Sequence, residues 1–295
     1  MGNIKENSRQ PKEEKIKCHR ILWLIGMFLM LSAYTYGQSP KRIITLSSAI
    51  TETVFALGLG SNIVAADVTS VSPAQAKALP KVSRNRSVSA EGIASYRPQL
   101  VLAPEGDLSR ETIIHLKSVG IKVVPIKQEY TVKGSLAFIR QIATAIGLKE
   151  KGELVAKRTE KEIADALRMI KADKGSLPKV LFIYARGTGT MSVAGKGSSI
   201  DAIIGLAGGR NAIQEFNEFK PYSTEAMVKA NPDVILLFDF GLTSLGGKEE
   251  MLTMPGVEFT NAGKNKKIIT MDGPLLINFS VRLPQAVTEL NRKLR

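Results

Sequence analysis

The chain has 295 residues, 44% of them hydrophobic and 23% charged, with 41 Lys and Arg against 27 Asp and Glu for a formal net charge of +14. An ordinary apolar fraction excludes disorder as the main state, a single Cys excludes an internal disulfide framework, and two His leave little for a histidine-rich metal site. Such a basic balance suits nucleic acid, an acidic membrane surface or an anionic ligand.

Residues 1–20 are polar and net positive, whereas 21–37 (ILWLIGMFLMLSAYTYG) carry no charge. A basic start, an apolar stretch and small residues at Thr35 and Gly37 predict a secretory signal over 1–37 that is cleaved near 37/38. An uncleaved anchor is the alternative, because these 17 uncharged residues sit at the lower edge of a bilayer span. The one Cys, Cys18, precedes the apolar stretch, so no lipid-bearing Cys follows it. Removing six Lys and Arg and three Asp and Glu with the leader leaves 35 against 24, or +11. Export to the periplasm removes nucleic acid as a partner and leaves an anionic small molecule or an envelope surface.

From residue 41 onward, short β-branched runs alternate with amphipathic stretches. The runs 42–46, 62–66, 100–103 and 122–126 predict buried strands, with helices over 50–57, 72–78 and 109–119 between them. The segments 132–146 and 149–174 contain no Pro. The second, rich in Ala, Glu, Lys and Leu, predicts an amphipathic helix of about 25 residues, about 38 Å long. The strand–helix alternation then resumes, with strands at 179–184, 233–238 and 266–271 and helices at 199–206, 224–229 and 281–294. The expected fold is therefore α/β: two lobes with mostly parallel sheets flanked by helices, joined by one long rigid α-helix. The N-terminal lobe spans 38–146, the linking helix 147–177 and the C-terminal lobe 178–295, with the ligand in the cleft between the lobes. The Gly-rich run GTGTMSVAGKGSS lacks the spacing of a phosphate-binding loop and reads as turns between strands. His115, the one His beyond the leader, reads as a surface or interface residue, and with one His and no Cys a His-rich zinc or manganese site is not available.

Five segments in order over 41–294 carry a resemblance: KRIITLSSAITETVFALGLGSNIVAAD, LPKVSRNRSVSAEGIASYRPQLVLAPEGD, SVAGKGSSIDAIIGLAGGRNAI, YSTEAMVKANPDVILLF and MDGPLLINFSVRLPQAV. Together they resemble the class III periplasmic substrate-binding proteins of ABC importers, and most of all the haemin-binding subgroup. The resemblance implies a monomer with no enzymatic activity and no cofactor of its own, which captures a ligand between its lobes and hands it to a permease dimer. In that family each lobe presents an acidic residue to permease arginines, which places these roles on Glu91 in SAEGI and Glu225 in YSTEAM. Taken alone, both carboxylates fit equally well as first-turn helix residues behind a capping Ser, Ser89 and Ser223.

The haemin-binding subgroup holds iron through a Tyr phenolate two residues before an Arg, in the stretch preceding SAEG. Here that stretch reads VSRNRSVSAEG, with Arg84 in the Tyr position and Arg86 in the Arg position, and a guanidinium has no free lone pair for iron. Some relatives add a His just after the first strand of the second lobe, where this chain has Ala185 and Arg186. Tyr184 beside them is the substitute iron ligand, against its plain reading as a strand residue packed in the sheet. Arg84, Arg86, Arg186, Lys196 and Arg282 would gather positive charge around the cleft, suited to the carboxylates of haem. Phe279, Met191 and Leu276 would wall the cleft or belong to the core. The expected cargo is haem, iron protoporphyrin, with a siderophore, cobalamin or another tetrapyrrole as the near alternative. An exported hydrolase is the alternative of a different class, opposed by the lack of a second His and of a G-x-S-x-G elbow. A docking protein with a vestigial cleft is the third.

Overall fold

Runs of Ile, Val, Leu and Ala too short for helices and flanked by turn residues become the strands β1 (Ile43–Thr45), β2 (Ile63–Ala66), β3 (Leu100–Pro104) and β4 (Lys122–Ile126). They form an all-parallel sheet in the order β2-β1-β3-β4. The structure is a computed structural model that describes residues 2, 39–83, 87–172, 175, 177–187 and 191–295. The expected leader, Gly2 apart, and the arginines Arg84 and Arg86 lie outside the described residues. The crossovers carry α1 (Ser48–Ala56), α2 (Ala74–Lys77), α3 (Ala90–Ala94) and α4 (Arg110–Ser118), followed by α5 (Val132–Ala145) and α6 (Lys149–Ala172). Because side chains alternate along a strand, Ile43, Leu100 and Leu102 face α1 and α5, while Ile44, Val101 and Ala103 face Ile93 of α3 and Leu116 of α4. Both faces are covered, so the central strands read as unbroken apolar runs.

The helix α6 serves two cores. Its Val155 and Ala156 pack into the first lobe, and its Ile163 and Ala166 into the second. Where α6 crosses α5, a Cβ on Gly152 would lie 2.2 Å from Ala143 Cβ, so only glycine allows this approach.

The second sheet contains β5 (Lys179–Ala185), β6 (Met191–Ala194), β7 (Arg210–Asn211), β8 (Phe219–Lys220), β9 (Val234–Phe238) and β10 (Ile268–Met271). Its order is β10-β9-β5-β6-β8, with β7 also on β5. The strands β10, β9 and β5 are parallel, as is β7 on β5, in line with the expected mostly parallel sheets, but β6 runs antiparallel to β5 and to β8, so this sheet is mixed. The cause is length: residues 186–190 between β5 and β6 allow a reversal, while a parallel crossover needs about a dozen residues. Part of the Gly-rich run expected to be turns is thus strand β6. The helices of this lobe are α7 (Ser199–Leu206), α8 (Thr224–Ala230), α9 (Asp239–Ser244), α10 (Lys248–Thr253), α11 (Asn261–Lys264), α12 (Gly273–Ile277) and α13 (Leu283–Leu294). Alternation along β5 puts Val180, Phe182 and Tyr184 toward α6, α7 and α13, and Leu181, Ile183 and Ala185 on the opposite face.

The lobes also exchange side chains. Val132 at the start of α5 packs on the second core, and Val281 before α13 packs on the first.

Candidate functional site

Ligands in open α/β sheets sit beyond the carboxyl ends of the strands. Here those ends carry Tyr184 on β5, Phe238 on β9 and, directly after it, Phe240 in α9. The Tyr184 ring meets Phe238 and Phe240 edge-on, each at 6.1 Å between centroids, and Phe238 lies 5.3 Å from Phe240. Phe240 leaves 43% of its surface in solvent although it is fully apolar. Arg186 stretches over the Phe240 ring at 5.2 Å, and its Nε donates a 2.6 Å hydrogen bond to the Tyr184 hydroxyl oxygen. Tyr184 and Arg186 thus show the Tyr-x-Arg spacing that the haemin-binding resemblance located at 84–86, displaced to the other lobe. A guanidinium fixed on a phenol oxygen orients that oxygen and stabilises the negative charge a metal-bound phenolate carries.

A second aromatic edge comes from Tyr130, in the connection between β4 and α5. Its ring stands 5.4 Å from Phe279 in an edge contact. Burial, and then the nearby carboxylates of Glu218 in the second lobe and Asp107 in the first, push the Tyr130 phenol above its ordinary value. Tyr130 therefore marks where the two lobes face each other. Phe279, expected on the cleft wall, is fully buried and supports Tyr130 from behind, and Leu276 is equally buried. Lys196 is exposed just after β6.

Arg282, expected to meet an anion, is held by a side chain of the other lobe. Its Nη2 donates to Oε1 of Glu52 in α1, which is only 3% exposed. Burial pushes the Glu52 carboxyl up, while Arg282 and then Asn278 pull it down. Beside this pair, Asn278 Nδ2 donates to Ser48 Oγ at 2.9 Å. Glu52 Oε2, Arg282 Nε and Ser280 Oγ find no hydrogen-bond partner among the described residues, so this lobe contact is polar but incompletely satisfied.

The two acidic residues occupy matching places. Glu91 follows Ala90 in α3, whose N-cap Ser89 accepts a 3.0 Å bond from Gly92 N–H. Glu225 follows Thr224 in α8, whose N-cap Ser223 accepts a 3.2 Å bond from Ala226 N–H. In each lobe the carboxylate's own backbone N–H and the capping Ser hold it below the usual carboxylate range. Both are fully ionised and exposed at neutral pH. His115 of α4 lies 3.8 Å from Glu91, an ion pair when the imidazole is protonated.

The pattern of the family described as "Periplasmic binding protein" matches residues 43–275. The chain belongs to this family of class III periplasmic binding proteins. Among solved structures it is similar to the "Periplasmic heme-binding protein BhuT in complex with two hemes", at 37% identity and a TM-score of 0.82, covering 86% of this chain and 97% of that one. Among curated proteins it is similar to the "Uncharacterized ABC transporter substrate-binding lipoprotein YvrC" of Bacillus subtilis, 27% identical over 87% of this chain and 80% of that protein. It is also similar to the "Vitamin B12-binding protein" of Pectobacterium atrosepticum, 25% identical over 74% of this chain and 77% of that one. This periplasmic binding protein is thus a substrate-binding component of ABC import, which implies a permease and a small ligand, and it has no enzymatic role.

Three exposed aromatic residues of this binding protein escaped the sequence reading. Tyr130, Phe240 and Phe219 are aromatic yet 41%, 43% and 41% exposed, an unusual state for such side chains. A signal existed for one of them: Phe240 follows an unbroken apolar strand and lies past its end, where a core residue is not required.

Proposed function

We propose that the protein captures haemin between its lobes and delivers it to a permease dimer. The observation that carries this reading is the hydrogen-bonded Tyr184–Arg186 pair set against buried Phe238 and exposed Phe240 at the strand ends. Tyr184 is the iron ligand, Arg186 supports its phenolate, Tyr130 and Phe240 flank the flat macrocycle, and Arg84 and Arg86 supply charge for the propionates. The similarity, at 37% identity, to a solved heme-binding protein supports this assignment. Cobalamin is the second reading, because the chain is also 25% identical to a vitamin B12-binding protein over 74% of its length, and a corrinoid needs the aromatic walls but no phenolate.

Titration of the purified protein with haemin and, separately, with cyanocobalamin distinguishes the two. Haemin is expected to give a saturable Soret shift and cyanocobalamin no saturable signal; the reverse pattern favours the corrinoid.

We further assign permease docking to Glu91 and Glu225, which extend one anionic group from each lobe of a basic chain. Opposite charges across an interface govern encounter and register. Charge reversal in E91K or E225K is expected to reduce haemin-stimulated ATP hydrolysis by the reconstituted transporter about tenfold, and together to abolish it, without altering haemin affinity. Full stimulation by the double variant would remove both residues from the interface.

A further inference from the structure

The second lobe holds a cavity that the transport site does not use. Alternation along β5 puts Leu181 and Ile183 on the sheet face opposite Tyr184, and there they form the floor of a cavity of about 170 Å³. Val193, Val257, Met227 and Met251 complete a floor in which every residue is at most 9% exposed. Ser223, Thr224, Pro255 and the half-exposed Met191 form a rim open to solvent.

Methionine is concentrated here. Beyond the leader the chain has Met169, Met191, Met227, Met251, Met254 and Met271, and all but Met169 and Met271 line this cavity. Unbranched thioethers adapt to varied shapes and make favourable contacts with aromatic rings, and they recur where a surface accepts more than one apolar ligand. One wall is fixed by contrast. The Tyr222 hydroxyl donates to Glu215 at 3.0 Å and its ring stacks edge-on with Phe216. Burial, and then that bond, push its phenol up to about 12, so the wall stays neutral.

From this geometry we infer a second binding site, for a small uncharged aromatic molecule of benzene-to-indole size. A cavity of this volume with apolar walls accommodates one such ring, and it is too small for a tetrapyrrole. Any occupant touches the docking helix α8 through Thr224 and Met227. It also touches Pro255 and Val257, which flank Gly256, where an added Cβ would come within 2.6 Å of Thr224 Cγ2.

The test uses the full exported chain with its methionine methyls ¹³C-labelled, titrated with indole. Saturable shifts at Met191, Met227, Met251 and Met254, with Met169 and Met271 unmoved, are expected. Met191→Trp, which plugs the rim, is expected to weaken the effect at least tenfold, while circular dichroism confirms its fold. Absent shifts, shifts shared equally by all six methyls, or an unchanged response in the folded Met191→Trp protein overturn the site. Haemin binding is a separate readout, since its Soret band reports Tyr184 on the other face of the sheet.

Discussion

Tyr184→Phe is expected to abolish the phenolate-to-iron charge-transfer absorption of the haemin complex and to weaken haemin binding by at least about tenfold. The substitution removes one oxygen and leaves a ring of the same shape against Phe238 and Phe240, so the protein itself should fold normally. Arg186→Ala removes the guanidinium from the phenol oxygen. Hydrogen bonds to charged groups contribute about 1.5–3 kcal/mol, so this variant is expected to lose about ten- to a hundredfold in affinity while keeping a shifted Soret band. Lys at 186 restores charge but not the directed Nε donor and should recover little. Unchanged haemin spectra in Tyr184→Phe would move the iron ligand elsewhere in the chain.

The second large effect concerns the contact between the lobes. Glu52→Ala leaves the Arg282 guanidinium, whose Nε already finds no hydrogen-bond partner among the described residues, without its carboxylate as well. Breaking a buried pair by removing one side costs about 3–5 kcal/mol. Because Arg282 keeps 25% of its side-chain surface exposed, the lower end is expected, about 3 kcal/mol by chemical denaturation. Glu52→Gln retains an acceptor for Arg282 and should cost less. The double replacement Glu52→Leu with Arg282→Met removes both charges and should lie within about 1 kcal/mol of the parent. The surface pair of Arg140 and Glu153, each 42% exposed, provides the contrast, and its removal should cost less than about 1 kcal/mol. A loss below that value for Glu52→Ala would mean that the lobes are held without this pair.

The strands were legible in the sequence wherever a whole apolar run lies inside a sheet covered on both faces, as at 100–103 and 233–238. Met191–Ala194 was not legible, because its four residues are ordinary and become a strand only through pairing with Ile183–Ala185 and Phe219–Lys220. Tyr184 and Arg186 were singled out through the resemblance, which points to the end of the second lobe's first strand; β5 ends at Ala185, between them. The role of Arg282 could not be foreseen. Its partner Glu52 lies 230 residues away, and no local pattern shows which of several arginines will meet a buried carboxylate. Phe279 was left open for a similar reason: a large apolar side chain near a cleft motif suits a wall or a core equally, and only its complete burial in the second hydrophobic core places it there.

The helix α6 has a consequence for how this molecule comes apart. Ala156 and Ile163 lie seven positions apart, about 10 Å along the helix, so the two hydrophobic cores hold adjoining stretches of the same rod. Melting either core removes a wall from the other, which couples the lobes into one cooperative unit of unfolding. The lobes should therefore denature in a single transition, despite having separate sheets.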